Sequence, residues 1–94
     1  MLVELVQLKR HYNGSYNVAK ILINPQHIVL IQEDEDMKQR LHEGKITSNL
    51  SDQAEFSRIM IKGLGIEKSI TVIGSPEIIE AKIFAKSKKQ VLRG

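Results

Sequence analysis

The chain has 94 residues, enough for one small domain and nothing larger. Hydrophobic residues make up 41% and charged residues 27%, with a formal net charge of +3, which excludes a disordered chain of low apolar content and high net charge. Cysteine is absent, which removes a disulfide framework and thiolate chemistry; no stretch reaches the roughly 20 apolar residues of a membrane span; and Glu4 with no basic start does not read as a secretory signal.

Leu2 to Lys9 reads as a first strand and Tyr16 to Ile23, rich in Val and Ile, as its return. Asn13-Gly14 between them is a tight-turn signal, because both central positions of a type I′ turn need positive φ. A two-residue loop there sets Leu8 opposite Ala19, Val6 opposite Ile21 and Leu5 opposite Leu22, with Val3 near the last pair, so that both faces carry apolar pairs. Asn24-Pro25 breaks the pairing, since proline has no N–H to donate. His27 to Gln32 reads as a third strand, and its four consecutive apolar residues imply burial on both faces.

Glu33-Asp34-Glu35-Asp36 ends that strand as a solvated acidic edge and opens an inserted excursion over 33–56. Met37 to Glu43 forms a short helix, with Asp36 as its N-cap and Gly44 as its stop. Ser48 to Asp52 is loop-like, and Asp52 to Phe56 suits another short helical turn. Ser57 to Lys62 and Ser69 to Ile73 read as the fourth and fifth strands, joined by a turn or mobile loop at Gly63-Leu64-Gly65. Gly74-Ser75-Pro76-Glu77 starts a helix: serine accepts an N–H, proline suits the first position, and glutamate meets the positive helix end. Ile79 and Ile83 fall on one face, and the helix fades among Lys86 to Lys89 into a basic tail over 86–94.

The expected fold is therefore a small α+β domain over 1–94, with a mainly antiparallel sheet of about five strands, a C-terminal helix and a short helical insertion. The charge is unevenly spread: residues 1–31 carry +2, residues 32–55 carry −4 and residues 56–94 carry +5. Only four residues are aromatic, Tyr12, Tyr16, Phe56 and Phe84, and one helix does not cover two apolar sheet faces, so a homo-oligomer is expected.

No residue set points to catalysis. His11, His27 and His42 have no partner at metal-ligand spacing, the acidic run lacks the alternating oxygens and bend glycine of a calcium loop, and Gly63-Leu64-Gly65 is no phosphate loop. Neither a metal nor a cofactor is expected. The most ligand-like feature is the hairpin tip, where Lys9, Arg10, His11, Tyr12, Asn13 and Tyr16 put cations beside aromatic rings, with Lys62 and Lys68 bracketing the glycine turn. Arg10, Tyr12, Tyr16, Lys62 and Lys68 are the expected binding residues for an anionic ligand. Lys82, Lys86, Lys88, Lys89 and Arg93 supply an alternative, nucleic acid held by the basic tail, although +3 is modest for that role.

Ile21-Leu22-Ile23-Asn24-Pro25-Gln26-His27-Ile28 and Ser69 to Ile83, a hydrophobic strand running into a Ser-Pro-Glu-capped helix, together resemble small uncharacterised proteins of large tailed bacteriophages. More loosely they resemble the FlbD-like flagellar and swarming proteins, which share the Asn-Pro turn and terminal helix but are shorter and lack anything like residues 33–56. The likeness covers about a third of the chain and carries no catalytic residue. It implies an accessory protein of the host cytoplasm that binds a host protein or sequesters an anionic small ligand, without enzymatic activity and without a membrane partner.

Overall fold

The computed structural model describes residues 1–44 and 53–93; the side chains of residues 86–93, and the segment expected to be loop-like over 48–52, lie outside the described residues. Five strands and two α-helices follow in chain order: β1 (Val3–Arg10), β2 (Tyr16–Ile23), β3 (Ile28–Glu33), α1 (Glu35–His42), β4 (Phe56–Gly63), β5 (Ile66–Ile73) and α2 (Pro76–Arg93). The strands form one antiparallel sheet in the order β2-β1-β5-β4-β3. The chain is thus a small α+β domain.

The first hairpin differs from the sequence expectation by one residue. His11 N–H donates to Ser15 O (2.8 Å) and Gly14 N–H to His11 O (2.9 Å), which leaves Tyr12, Asn13 and Gly14 in a three-residue loop. Gly14 takes the positive φ of 88°, while Asn13 accepts from the backbone and hydroxyl of Ser15 through its own side chain. The extra loop residue sets Val3 opposite Ile23, Leu5 opposite Ile21 and Leu8 opposite Val18. Because side chains alternate across a strand, this register gathers Val3, Leu5, Ile21 and Ile23 on one face. The apolar face assigned jointly to Val3, Leu5 and Leu22 does not exist: Leu22 lies on the opposite face, paired with Glu4.

The face bearing Val3 and Leu5 packs on α2. Its buried core is Val3, Leu5, Ile23, Ile59, Ile70, Val72 and Ile79, with Ile28, Ile31 and Ile83 against it. Ser75 Oγ accepts from Ile78 N–H (3.3 Å) and Pro76 opens α2, as the sequence implies. Gly74 permits the approach: its φ is +128°, and a Cβ there would sit 3.2 Å from Ile79 Cδ1. The helix continues through Arg93 instead of fading at Lys86 to Lys89.

The connection between β2 and β3 requires the sheet to curl. Ile23 and Ile28 are five peptide steps apart, at most about 18 Å when extended. The edges of a flat five-stranded sheet lie about 19 Å apart. The Pro25–His27 segment is moreover a 3-10 turn, capped by Asn24 through Gln26 N–H, which shortens the reach further. Curling brings both edge isoleucines into the one core. The His27 ring lies against Gly63, where a Cβ would meet its Cδ2 at 3.1 Å. A register shift between Ile28 and Leu30 leaves Val29 and Leu30 exposed, so β3 is not buried on both faces.

The second face is covered in part by α1, the short helix expected within the excursion. Leu8, Leu41 and Phe56 form a second buried cluster with Tyr16, Met37, Ala54 and Ile73 around it. Phe56 begins β4 rather than ending a helical turn. The helix starts two residues earlier than the sequence suggests, and its cap is Asp34, not Asp36. Asp34 is only 2% exposed, against the expectation of a solvated acidic run. Its Oδ1 accepts from Met37 N–H (3.2 Å) and Arg58 Nη2 (3.5 Å), and its Oδ2 accepts from Thr71 Oγ1 (2.9 Å). Its own N–H donates to Phe56 O (2.9 Å). One carboxylate therefore ties the end of β3 to α1, β4 and β5.

Asp34→Ala removes the cap and leaves the half-buried Thr71 hydroxyl without this acceptor, an expected loss of about 2–3 kcal/mol in urea unfolding. Thr71→Ala, which removes one partner and keeps the cap, is expected to cost about 1 kcal/mol.

Candidate functional site

Arg10 ends β1 and Tyr16 begins β2, directly opposite one another in the hairpin ladder. Cross-strand partners share a face. The Arg10 guanidinium lies 6.0 Å from the centre of the Tyr16 ring, at the outer reach of a cation–π contact. Arg40 of α1 approaches from the other side and donates from Nη1 to the Tyr16 hydroxyl (3.3 Å). Tyr16 is half-buried against the Leu8–Leu41–Phe56 cluster, so the ring is held while Arg10 remains exposed and Arg40 is itself half-buried.

Tyr12 stands at the tip of the same hairpin, fully exposed at 105%. Lys62 and Lys68 belong to the other hairpin, β4–β5. Lys62 pairs with Glu67 and Lys68 pairs with Ile61. Adjacent positions alternate, so the two lysines project to opposite faces of the sheet. The structure brings Arg10 and Tyr16 together, leaves Tyr12 projecting above them and divides Lys62 from Lys68. It does not gather the five expected residues into one pocket.

The turn between β4 and β5 is a two-residue hairpin, with Gly63 paired to Ile66. Its central residues are Leu64 at φ 52° and Gly65 at φ 78°. The primed turn expected at Asn13-Gly14 is found here instead. A hollow of about 330 Å³ is lined by Lys62, Gly63, Leu64, Gly65, Ile66 and Glu67. A second, of about 370 Å³, is lined by Asp36, Gln39, Arg40 and Glu43 on α1.

Two features escaped sequence reasoning. Arg40 was read as part of a generic short helix, although it falls on the turn of α1 that meets Tyr16. Leu64 lies in the segment read as a turn or mobile loop, and nothing local signals its positive φ, because leucine disfavours that backbone region. Among the described residues, no three of His, Asp and Glu gather to hold a metal ion. The side chains of Lys86, Lys88, Lys89 and Arg93 lie outside the described residues, while Lys82 is exposed on α2.

At the rim of the acidic segment, the Glu33 carboxyl is pushed above its ordinary value, first by the hydrogen bond it shares with Glu35 and then by that neighbour's like charge. Lys38 opposes the shift; it also pairs with Glu55 at 3.9 Å.

Comparison with family models, curated proteins and solved structures finds no match to this chain.

A raised folded pKa contributes stability below the unfolded value, near 4.5, that is lost as pH rises through the folded value. Glu33→Gln is therefore expected to raise Tm slightly at pH 7, with the gain fading toward pH 4. Calorimetry across that range checks it.

Proposed function

We propose that the chain is a non-enzymatic binding module that takes an anionic partner at the hairpin end of its sheet. The observation that supports this reading best is the grouping of Arg10, Tyr16 and Arg40: a surface guanidinium over a ring whose hydroxyl is held by a second guanidinium. Guanidinium groups bind phosphate and carboxylate oxygens through charge-assisted hydrogen bonds, and a fixed tyrosine offers a flat apolar surface beside them. β1 and β5 run antiparallel, so the tip of β1–β2 and the tip of β4–β5 lie at the same end of the sheet. Lys9, Arg10, Lys62 and Lys68 then share that end with Glu67 as the one acid among residues 9–16 and 61–69, a net charge of +3.

The biological setting we propose is that of the phage-type accessory proteins the chain resembles, acting in the host cytoplasm. Self-association belongs to the same proposal: Val18 and Leu22 are exposed on edge strand β2. Nucleic acid is the second reading. Its support is the continuous helix through Arg93, which puts positions 82, 86, 89 and 93 at helical spacing.

Soluble polyphosphate is the probe. Binding measured by calorimetry is expected to weaken steeply with salt and to be lost in the Arg10→Ala/Lys62→Ala variant with its unfolding midpoint unchanged. Unchanged affinity in that variant removes this site. Loss of binding on truncation after Ile83, with the double variant unaffected, favours the helix instead.

A further inference from the structure

Leucine is a poor residue for the position Leu64 occupies. The left-handed backbone region brings its Cβ against the following carbonyl, and Asn, Asp or Gly is the low-strain choice in a primed hairpin turn. A folded chain tolerates such strain where the side chain regains energy by packing. Leu64 regains none: it is 90% exposed. Two residues on, Ile66 is 59% exposed at the start of β5. Extending the Gln7–Val72 pairing along β1 and β5 sets Arg10 level with Ser69, so Tyr12, in the loop just beyond Arg10, projects at the same end of the sheet about two residues short of the Leu64-Gly65 tip. The sheet thus ends in three projecting apolar or aromatic side chains on two tips.

The surrounding cations are arranged in a particular way. Lys62 and Lys68 project to opposite faces, as do Lys9 and Arg10, which are also adjacent in their strand. Groups spread around both sides of a tip do not converge on one small anion. They do fit a plane of negative charge that the tip enters. A bilayer needs no shape-complementary groove, and basic residues near an anionic leaflet add attraction that is screened by salt. Stable surface binding takes two signals together, apolar insertion and basic charge, and this end of the sheet supplies both.

We infer that the hairpin end docks on an anionic lipid surface, with Leu64, Ile66 and Tyr12 entering the interface and Arg10, Lys62 and Lys68 meeting the headgroups. The inference rests on the anionic-partner reading and names that partner. It concerns adsorption, not spanning; among the described residues no helix is long and apolar enough to cross a membrane.

The test is sedimentation of the full chain with phosphatidylcholine vesicles containing 30% phosphatidylserine, beside pure phosphatidylcholine vesicles and soluble polyphosphate. The decisive variant is Leu64→Asn, because asparagine tolerates the left-handed backbone and Tm is expected to hold or rise. Binding to the mixed vesicles, little to the neutral ones, and a loss of about tenfold in Leu64→Asn with polyphosphate binding intact support the inference. Four results overturn it. Polyphosphate binding without vesicle binding leaves the anion reading standing and removes the lipid. Equal vesicle binding by Leu64→Asn removes insertion. A light-scattering mass above the monomer that falls to the monomer in Leu64→Asn assigns the tip to a second copy of the chain. Absence of binding to every probe removes the anion reading as well.

Discussion

Asp34 holds a carboxylate at 2% exposure, and the part of the second face that α1 covers is organised around it. An uncompensated buried charge is costly, so its position is fixed by the groups that satisfy it. Those groups come from three elements: the amide of Met37 at the first turn of α1, the hydroxyl of Thr71 on β5 and, at longer range, the guanidinium of Arg58 on β4. Arg58 is about half exposed, so the ion pair is screened and the two short-range donors bear most of the load. With α1 pinned at its N-terminus, Met37 and Leu41 reach Leu8 and Phe56, and Arg40 reaches the Tyr16 hydroxyl. The Arg40–Tyr16 contact therefore depends on a capping interaction at the far end of the same helix.

A second constraint sets the shape of the molecule. The short passage from Ile23 to Ile28 curls the sheet until its two edges share one core with Ile79 and Ile83 of α2. Leu64, Ile66 and Tyr12 project from the hairpin ends, outside both buried clusters.

Much of the fold was legible in the sequence because its signals were local. The Ser75–Pro76–Glu77 start of α2, the Asn24-Pro25 break and the order of five strands all follow from residue chemistry over a few positions. The hairpin register was not legible, because Asn13-Gly14 serves equally in a two-residue turn and in a three-residue loop ending on Gly14; the choice is made by which faces must be buried. Asp34 was hidden for a similar reason. Four consecutive acids look alike in a sequence, and only the tertiary arrangement puts Thr71 beside one of them. Of the site, Arg10 and Tyr16 were found through cation and aromatic spacing, but Lys62 and Lys68 looked like a pair because they flank a glycine turn. The two-residue turn gives them opposite parity and opposite faces.

The most direct test of this account is amide hydrogen exchange on Asp34→Asn, which keeps the shape of the side chain and removes its charge. The account predicts that protection falls selectively across α1, beginning at Met37, while Ile59, Ile70 and Val72 in the α2-facing core retain theirs. Unchanged protection in α1, or an equal fall in both regions, would contradict the claim that this carboxylate holds the second face in place.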